Sequence, residues 1–250
     1  MQFVVHPDFA HLKPEITDCL NRFSTKGEEV YKGSRNSIKY FELEDVVLNI
    51  KAFKKPNFIK KIIYTYFRES KAKRSYEYAL KLLELGIKTP QPIAYIEKKD
   101  GLGLTESYYV CEHIDYDFMF RKLVAEPDME GRTEILNQFT QFCYQLHENG
   151  IEFKDHSPGN TLIKHIGGGK YDFYLVDLNR MTFHKKMSIK QRMYNLRRLT
   201  PQLEMVSIIT EEYAKLSGES SEKLFQMLWE ETSGFQRKFH RKQRMKKKFK

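Results

Sequence analysis

The spacing of apolar residues divides the chain into a strand-rich first part and a helical second part. Short apolar runs separated by turn residues predict strands at Val30–Tyr31, Ile38–Phe41, Val46–Phe53, Ile93–Glu97 and Ser107–Cys111. Short turns join the first three runs to one another and the last two to each other, which favours antiparallel pairing. We therefore expect a small antiparallel sheet in the first half of the chain.

Helical spacing of apolar residues marks three stretches. The first runs without Gly or Pro from Phe58 to Leu85 and is predicted as one helical stretch that Gly86 ends. The second, Arg132–Glu148, is a strongly amphipathic helix. The third, Ile189 to Trp229, is helical in composition.

Composition places the chain among folded proteins of a reducing compartment. Hydrophobic residues make up 40% and aromatics 14% of its 250 residues, far more than a disordered chain carries. The three cysteines, Cys19, Cys111 and Cys143, are widely spaced, which argues against a disulfide framework or a zinc site. Neither a signal peptide nor an apolar run of about 18 residues is evident. We expect a cytoplasmic protein.

Positive charge is concentrated in two patches. The formal net charge is +10, and residues 237–250 alone hold nine Lys or Arg and no acid. Residues 51–74 hold another nine, with Glu69 as their only acid. Such patches suit an anionic partner: phosphate groups, lipid headgroups or nucleic acid.

The residues best suited to chemistry are two aspartates and an asparagine in the second half. Asn160 follows Asp155 by five residues, and Asp177 ends an apolar run. Phosphoryl transfer needs one carboxylate to orient the attacking hydroxyl and accept its proton, and oxygen ligands to hold Mg²⁺ against the nucleotide phosphates. We assign the first role to Asp155 and the metal to Asn160 and Asp177, with ATP as phosphate donor.

These three residues resemble the catalytic DxxxxN and the DFG aspartate of the protein-kinase-like superfamily. Phe153 stands where many members have His, and Leu178-Asn179 replaces Phe-Gly, which argues against a conventional activation-loop protein kinase. The resemblance implies an α+β, bilobal protein-kinase-like fold. A small N-terminal antiparallel β-sheet lobe with one helix, 1–111, would bind nucleotide; a mainly helical catalytic lobe, 112–236, and a basic tail, 237–250, would follow.

The resemblance also implies a lysine for the α and β phosphates and a glutamate that holds it. Lys51 has the register of the superfamily's VAIK lysine, although Lys54 and Lys55 lie close by. For the glutamate we favour Glu77 over Glu69. We expect the turn at Gly33 and Arg35 to cover the phosphates, through backbone N–H groups and the arginine charge, although it lacks the GxGxxG pattern.

More specifically, the chain resembles the lipopolysaccharide kinase family, which includes Kdo kinases and core-heptose kinases. Four stretches carry this resemblance: residues 30–36, 51–57, 67–74 and 86–90. It implies transfer of the ATP γ-phosphate to a sugar hydroxyl of the lipopolysaccharide inner core, at the cytoplasmic face of the membrane. The acceptor glycolipid would be the partner, and the basic tail would make a peripheral contact with the anionic membrane surface.

Two alternatives use the same residues. An atypical protein kinase or ATPase acting on a protein or RNA particle would keep Asp155, Asn160 and Asp177, and its basic tail would contact RNA phosphates. A non-catalytic pseudokinase scaffold would bind nucleotide without turnover. The retention of Lys51 with the other three residues argues against the scaffold.

Overall fold

The protein has an α+β fold made of two compact units. The computed structural model describes residues 1–33 and 36–248. The first unit is Met1–Asp115 and the second Tyr116–Lys250. The sequence places the boundary between the lobes after residue 111, four residues before this division.

The first unit is built on a six-stranded antiparallel sheet with the order β1-β5-β6-β4-β3-β2. Its strands are β1 (Gln2–Val5), β2 (Glu28–Lys32), β3 (Asn36–Glu42), β4 (Val47–Phe53), β5 (Pro92–Asp100) and β6 (Gly103–Glu112). All five predicted strands are present. The edge strand β1 was not predicted, and it pairs with β5 about ninety residues away.

Helices complete the first unit: a 3₁₀ turn (Pro7–Leu12), α1 (Lys13–Asn21), α2 (Phe58–Ile62), a π-helical turn (Ile63–Phe67) and α3 (Lys71–Glu84). The sheet buries Leu48, Ile50 and Ile96 in a core to which α1 contributes Ile16 and Cys19. The first unit therefore has a core of its own.

The prediction of one uninterrupted helical stretch from Phe58 to Leu85 is wrong. Arg68 has an extended backbone, with φ −154° and ψ 132°. Ser70 then caps α3 by accepting a hydrogen bond from the Lys73 N–H at 3.1 Å. A serine oxygen at this position satisfies an amide that the first helical turn leaves unpaired, so it favours a new helix start without Gly or Pro.

The second unit is mainly helical. Its helices are α4 (Arg121–Ala125), α5 (Arg132–Glu148), α6 (Ile189–Leu196), α7 (Leu203–Ser217) and α8 (Ser221–Lys248). Its strands are β7 (Phe118–Met119), β8 (Ile151–Phe153), β9 (Thr161–Gly167), β10 (Lys170–Leu175) and β11 (Met181–Phe183). The observed α5 coincides with the predicted amphipathic helix.

Residues 237–248 of the basic tail continue α8 without a break. Leu224 and Leu228, near the start of α8, are buried in the core of the second unit with Phe139 and Tyr213. From Arg237 to Lys246 the side chains are exposed. No helix among residues 1–33 and 36–248 combines the length and apolar character needed to cross a bilayer.

Gly150 is the position at which the backbone leaves α5 for β8. Its φ is +70°, and a Cβ placed there would lie 2.0 Å from the carbonyl oxygen of His184. The His184 N–H also donates to the Gly150 carbonyl at 2.8 Å. Any larger residue would push the two backbones apart.

We expect Gly150→Ala to lower the free energy of unfolding by at least about 2 kcal/mol more than Gly218→Ala. Gly218 is the matched control, since its φ is +72° but a Cβ there meets nothing within 4 Å. Its alanine variant pays only the left-handed backbone strain of about 1–2 kcal/mol. Equal losses in urea denaturation would contradict the close approach of His184.

Candidate active site

Two short loops of the second unit carry the residues predicted to transfer phosphate. Loop A (154–160) joins β8 to β9, and loop B (176–180) joins β10 to β11. Strand pairing sets Thr161 opposite Leu175 and Phe153 opposite Met181, so the loops leave the strands side by side. The structure thus places Asp155, Asn160 and Asp177 in two adjoining segments.

Backbone hydrogen bonds fasten the loops to each other at both ends. The Val176 N–H donates to the Asn160 carbonyl at 3.0 Å, and the Lys154 N–H donates to the Arg180 carbonyl at 3.0 Å. The first bond joins Asn160 to the residue before Asp177, and the second joins the residue before Asp155 to the end of loop B. The relative position of the loops is therefore set by the main chain.

Asn160 is held by its own loop. Its side-chain Nδ2 donates to the Asp155 carbonyl at 2.8 Å. This bond uses the amide nitrogen and leaves the Oδ1 oxygen as the atom available to a metal. The prediction of Asn160 as an oxygen ligand agrees with this orientation.

Asp177 has an unusual backbone and a fixed carboxylate. Its φ is 62°, and within the part of the chain that the structure describes no other non-glycine residue has a positive φ. Backbone strain of this kind is concentrated at functional sites. Asn179, which is buried, donates from Nδ2 to Asp177 Oδ1 at 2.6 Å. Sequence analysis noted Asn179 only as a departure from Phe-Gly, although it orients the predicted metal ligand.

This donor set suits Mg²⁺. The ion prefers oxygen ligands and is usually bound by one or two carboxylates together with substrate phosphates and water. The Asn160 amide oxygen and the Asp177 carboxylate supply two such atoms. No cluster of three or more His, Cys, Asp or Glu suited to a metal lies within the described ranges, so a cage built from such side chains alone is not found there.

Asp155 lies in an ion-pair cluster that sequence analysis missed. Its Oδ1 accepts from Arg180 at 3.0 Å and from Arg198 at 2.9 Å, and its side chain is 20% exposed. Arg198 is 43 residues from Asp155 in the chain. No local spacing could have indicated that pair, whereas Arg180 lies three residues after Asp177 in loop B.

Lys51 lies on β4 of the first unit, where it is opposite Tyr109 of β6 and Ile38 of β3. The residue is only 8% exposed, and its Nζ is 5.5 Å from the centre of the Phe53 ring. Burying a lysine is costly and is rare for a lysine without a specific role. Lys54 and Lys55 lie beyond the end of β4 and are exposed. These placements favour Lys51 over its neighbours.

The remaining predicted residues of the first unit stay predictions. Glu77 is on α3, with a carboxylate oxygen 3.5 Å from Lys73 Nζ; Glu69 precedes the helix and lies 2.6 Å from the same atom. Gly33 follows β2, and its N–H donates to the Asn36 carbonyl at 3.0 Å. Arg35 lies outside the described residues.

Comparison with known proteins shows the family of this chain. The family model described as lipopolysaccharide kinase (Kdo/WaaP) family matches residues 54–218, which is more than half of the chain. The chain belongs to this family. Members of this family are described as lipopolysaccharide kinases, so this chain is a kinase of lipopolysaccharide biosynthesis. Curated proteins give no significant match.

A solved structure supports the fold of this Kdo/WaaP family member. It is described as WaaP in complex with acyl carrier protein, and it matches with a TM-score of 0.65 at 14% sequence identity. The match covers 96% of this chain and 99% of that one. Together with the family match it shows the bilobal kinase-like fold that the sequence predicts.

Buried polar side chains hold the backbone of this kinase at the start of loop A. His147 of α5 is hydrogen-bonded to the Tyr213 hydroxyl at 2.9 Å and to Asn195 Oδ1 at 3.2 Å. Asn195 Nδ2 donates in turn to the Phe153 carbonyl at 2.8 Å, two residues before Asp155. Three helices thereby determine where the chain enters loop A.

Two buried histidines, one in α5 and one within loop A, are held neutral by burial. Burial lowers the pKa of His147 to about 4 and that of His156 to about 3. Neither ring nitrogen of His156 has a hydrogen-bond partner among the described residues, and its ring lies against Phe139 and Phe153. Protonating either ring requires a charge in the core.

Stability should therefore fall on acidification. The folded-state pKa values lie below the unfolded value of about 6.5, so the unfolded chain takes up protons first as pH falls. The contribution of the two neutral histidines to the free energy of unfolding is complete above about pH 6.5 and declines towards pH 4. We expect His156→Phe to reduce the loss between pH 7.5 and pH 5 by roughly 2 kcal/mol. Denaturant titration at both pH values measures it.

His165→Phe, at an exposed position, is the matched control for that experiment. The same reduction in both variants, or none in His156→Phe, would contradict the buried neutral state of His156.

Proposed function

We propose that the chain transfers the γ-phosphate of ATP to a sugar hydroxyl, of Kdo or heptose, in the lipopolysaccharide inner core. The observation that supports this proposal is the backbone hydrogen bonding between loop A, which holds Asp155 and Asn160, and loop B, which holds Asp177. Family membership supports the lipopolysaccharide acceptor. The reaction would take place at the inner face of the cytoplasmic membrane.

In the proposed reaction each residue has one task. Asp155 orients the acceptor hydroxyl and accepts its proton, while the hydroxyl oxygen bonds to the γ-phosphorus and the bond to the β,γ-bridging oxygen breaks, releasing ADP. Asn160 and Asp177 would hold Mg²⁺, which when bound neutralises charge on the phosphates. Lys51 would pair with the α and β phosphates.

We expect Asp155→Asn and Asp177→Ala to fail at different steps. Asp155→Asn keeps the shape of the side chain and should bind Mg²⁺ and ATP nearly as wild type does, yet transfer phosphate about 10³-fold more slowly, because proton acceptance is lost. Asp177→Ala should abolish Mg²⁺-dependent ATP binding. Calorimetry of binding and transfer of radiolabelled phosphate to lipid A-core glycolipid measure the two steps. Normal turnover in Asp155→Asn would remove the proposed base.

We expect Lys51→Ala to raise the KM for ATP at least about tenfold, because one charge-assisted contact to phosphate is lost. Lys54→Ala is the matched control, since it removes an exposed lysine three residues away. Initial rates at varied ATP test this. A larger effect in Lys54→Ala would move the phosphate contact to that residue.

The exposed end of α8 suits an anionic membrane surface. Residues 237–246 contain six Lys or Arg and no acid, and Phe239 and Met245 are 45% and 48% exposed. Cations near an anionic leaflet contribute about 1 kcal/mol each, and apolar side chains add by burial in the interface. A peripheral contact there would keep the kinase close to a membrane-embedded acceptor.

We expect binding to anionic vesicles to weaken at least about 100-fold when four cations are replaced by glutamine: Arg241, Lys242, Arg244 and Lys246. Sedimentation with vesicles of phosphatidylglycerol and phosphatidylethanolamine measures it, and vesicles without anionic lipid are the control. Unchanged vesicle binding, or strong salt-dependent retention of RNA in its place, would contradict the membrane contact.

A further inference from the structure

The proposed proton acceptor is occupied in the structure. Both Arg180 and Arg198 donate to the same oxygen, Asp155 Oδ1, at 3.0 and 2.9 Å, and Arg180 also reaches Oδ2 at 3.4 Å. An oxygen that accepts from two guanidinium groups is poorly placed to accept a hydroxyl proton as well. At least one of these contacts has to open for the acceptor to bind.

The two arginines differ in how firmly they are held. Arg198 is 28% exposed, donates to the Lys154 carbonyl at 3.0 Å and lies with its guanidinium carbon 5.4 Å from the Phe235 ring centre. Arg180 is 54% exposed, and its guanidinium hydrogen bonds within the described residues all go to Asp155. Arg180 is therefore the one that can move.

The charge around Asp155 exceeds what this carboxylate needs. The Asp155 carboxylate is paired with two guanidinium groups, those of Arg180 and Arg198, so this cluster carries one positive charge more than the carboxylate neutralises. A neutral sugar hydroxyl gains nothing from that excess. A sugar that carries a carboxylate or phosphate is attracted to it, and a planar guanidinium pairs with either group through two hydrogen bonds.

We propose that Arg180 recognises an acidic group of the acceptor sugar: its guanidinium leaves Asp155, pairs with a carboxylate or phosphate of the acceptor, and so frees Asp155 Oδ2 to accept the hydroxyl proton while Arg198 stays on Oδ1. This inference rests on the proposed kinase function. Arg198 stays in place and keeps the carboxylate oriented. Recognition of the acceptor and release of the base are then one movement.

The test compares acceptors as well as variants. Lipid A-core glycolipid is used in its native form, after reduction of its sugar carboxylates to alcohols, and after removal of its phosphates. The wild-type KM should be at least about tenfold higher for the treated form that lacks the recognised group than for the native form, because one charge-assisted pair is lost. The form affected tells whether the group is the carboxylate or the phosphate.

In Arg180→Gln the KM for native acceptor should rise at least about tenfold and become equal for native and treated forms, while the KM for ATP is unchanged. Arg180→Lys keeps the charge without the planar pair and should restore part of the preference. Lys186→Gln, an exposed cation six residues further on, is the matched control and should keep the wild-type preference.

Two results would overturn the inference. One is a wild type that does not distinguish native from treated acceptors. The other is an Arg180→Gln variant whose kcat falls equally on all acceptors while it still prefers native over treated acceptor, since Arg180 would then only position Asp155. Failure of the proposed function would appear differently, as no phosphate transfer by wild type to any of these acceptors, and would remove this inference with it.

Discussion

The second unit depends on a buried chain of hydrogen bonds that runs from His147 through Asn195 to the Phe153 carbonyl. A second bond from His147 to Tyr213 brings α7 into the same network, so one set of hydrogen bonds joins α5, α6, α7 and β8. Because a buried polar group left unpaired costs more free energy than the bond itself contributes, the network favours one arrangement of these elements. The entry to loop A follows from it.

Loop B is set by loop A in turn. The hydrogen bonds of Val176 and Lys154 fix the two backbones at both ends, and Asn179 fixes the Asp177 carboxylate within its loop. Positioning of this kind counts most in phosphoryl transfer, where catalysis consists almost entirely of orientation and charge stabilisation. The left-handed backbone of Asp177 shows that the chain accepts local strain to direct this residue.

Sequence reasoning succeeded where the signal is local. The helical period of α5 and five of the six strands of the first sheet are each set within short windows of the chain. The roles assigned to Asp155, Asn160 and Asp177 stay predictions. Sequence reasoning failed where partners are distant in the chain. Strand β1 pairs with β5 about ninety residues on, and Arg198, two residues beyond the end of α6, pairs with Asp155. The start of α3 is a third case, because Ser70 offers a cap that competes with continuous helical spacing.

The central claim is that this Kdo/WaaP family member places a phosphate on an inner-core sugar with Asp155 as base. Tandem mass spectrometry of lipid A-core glycolipid, incubated with purified protein, Mg²⁺ and ATP, tests it most directly, with Asp155→Asn in parallel. The account predicts a gain of one or more phosphates whose fragment ions map to Kdo or heptose in wild type alone. No gain on an intact acceptor, with ATP still bound, would contradict it.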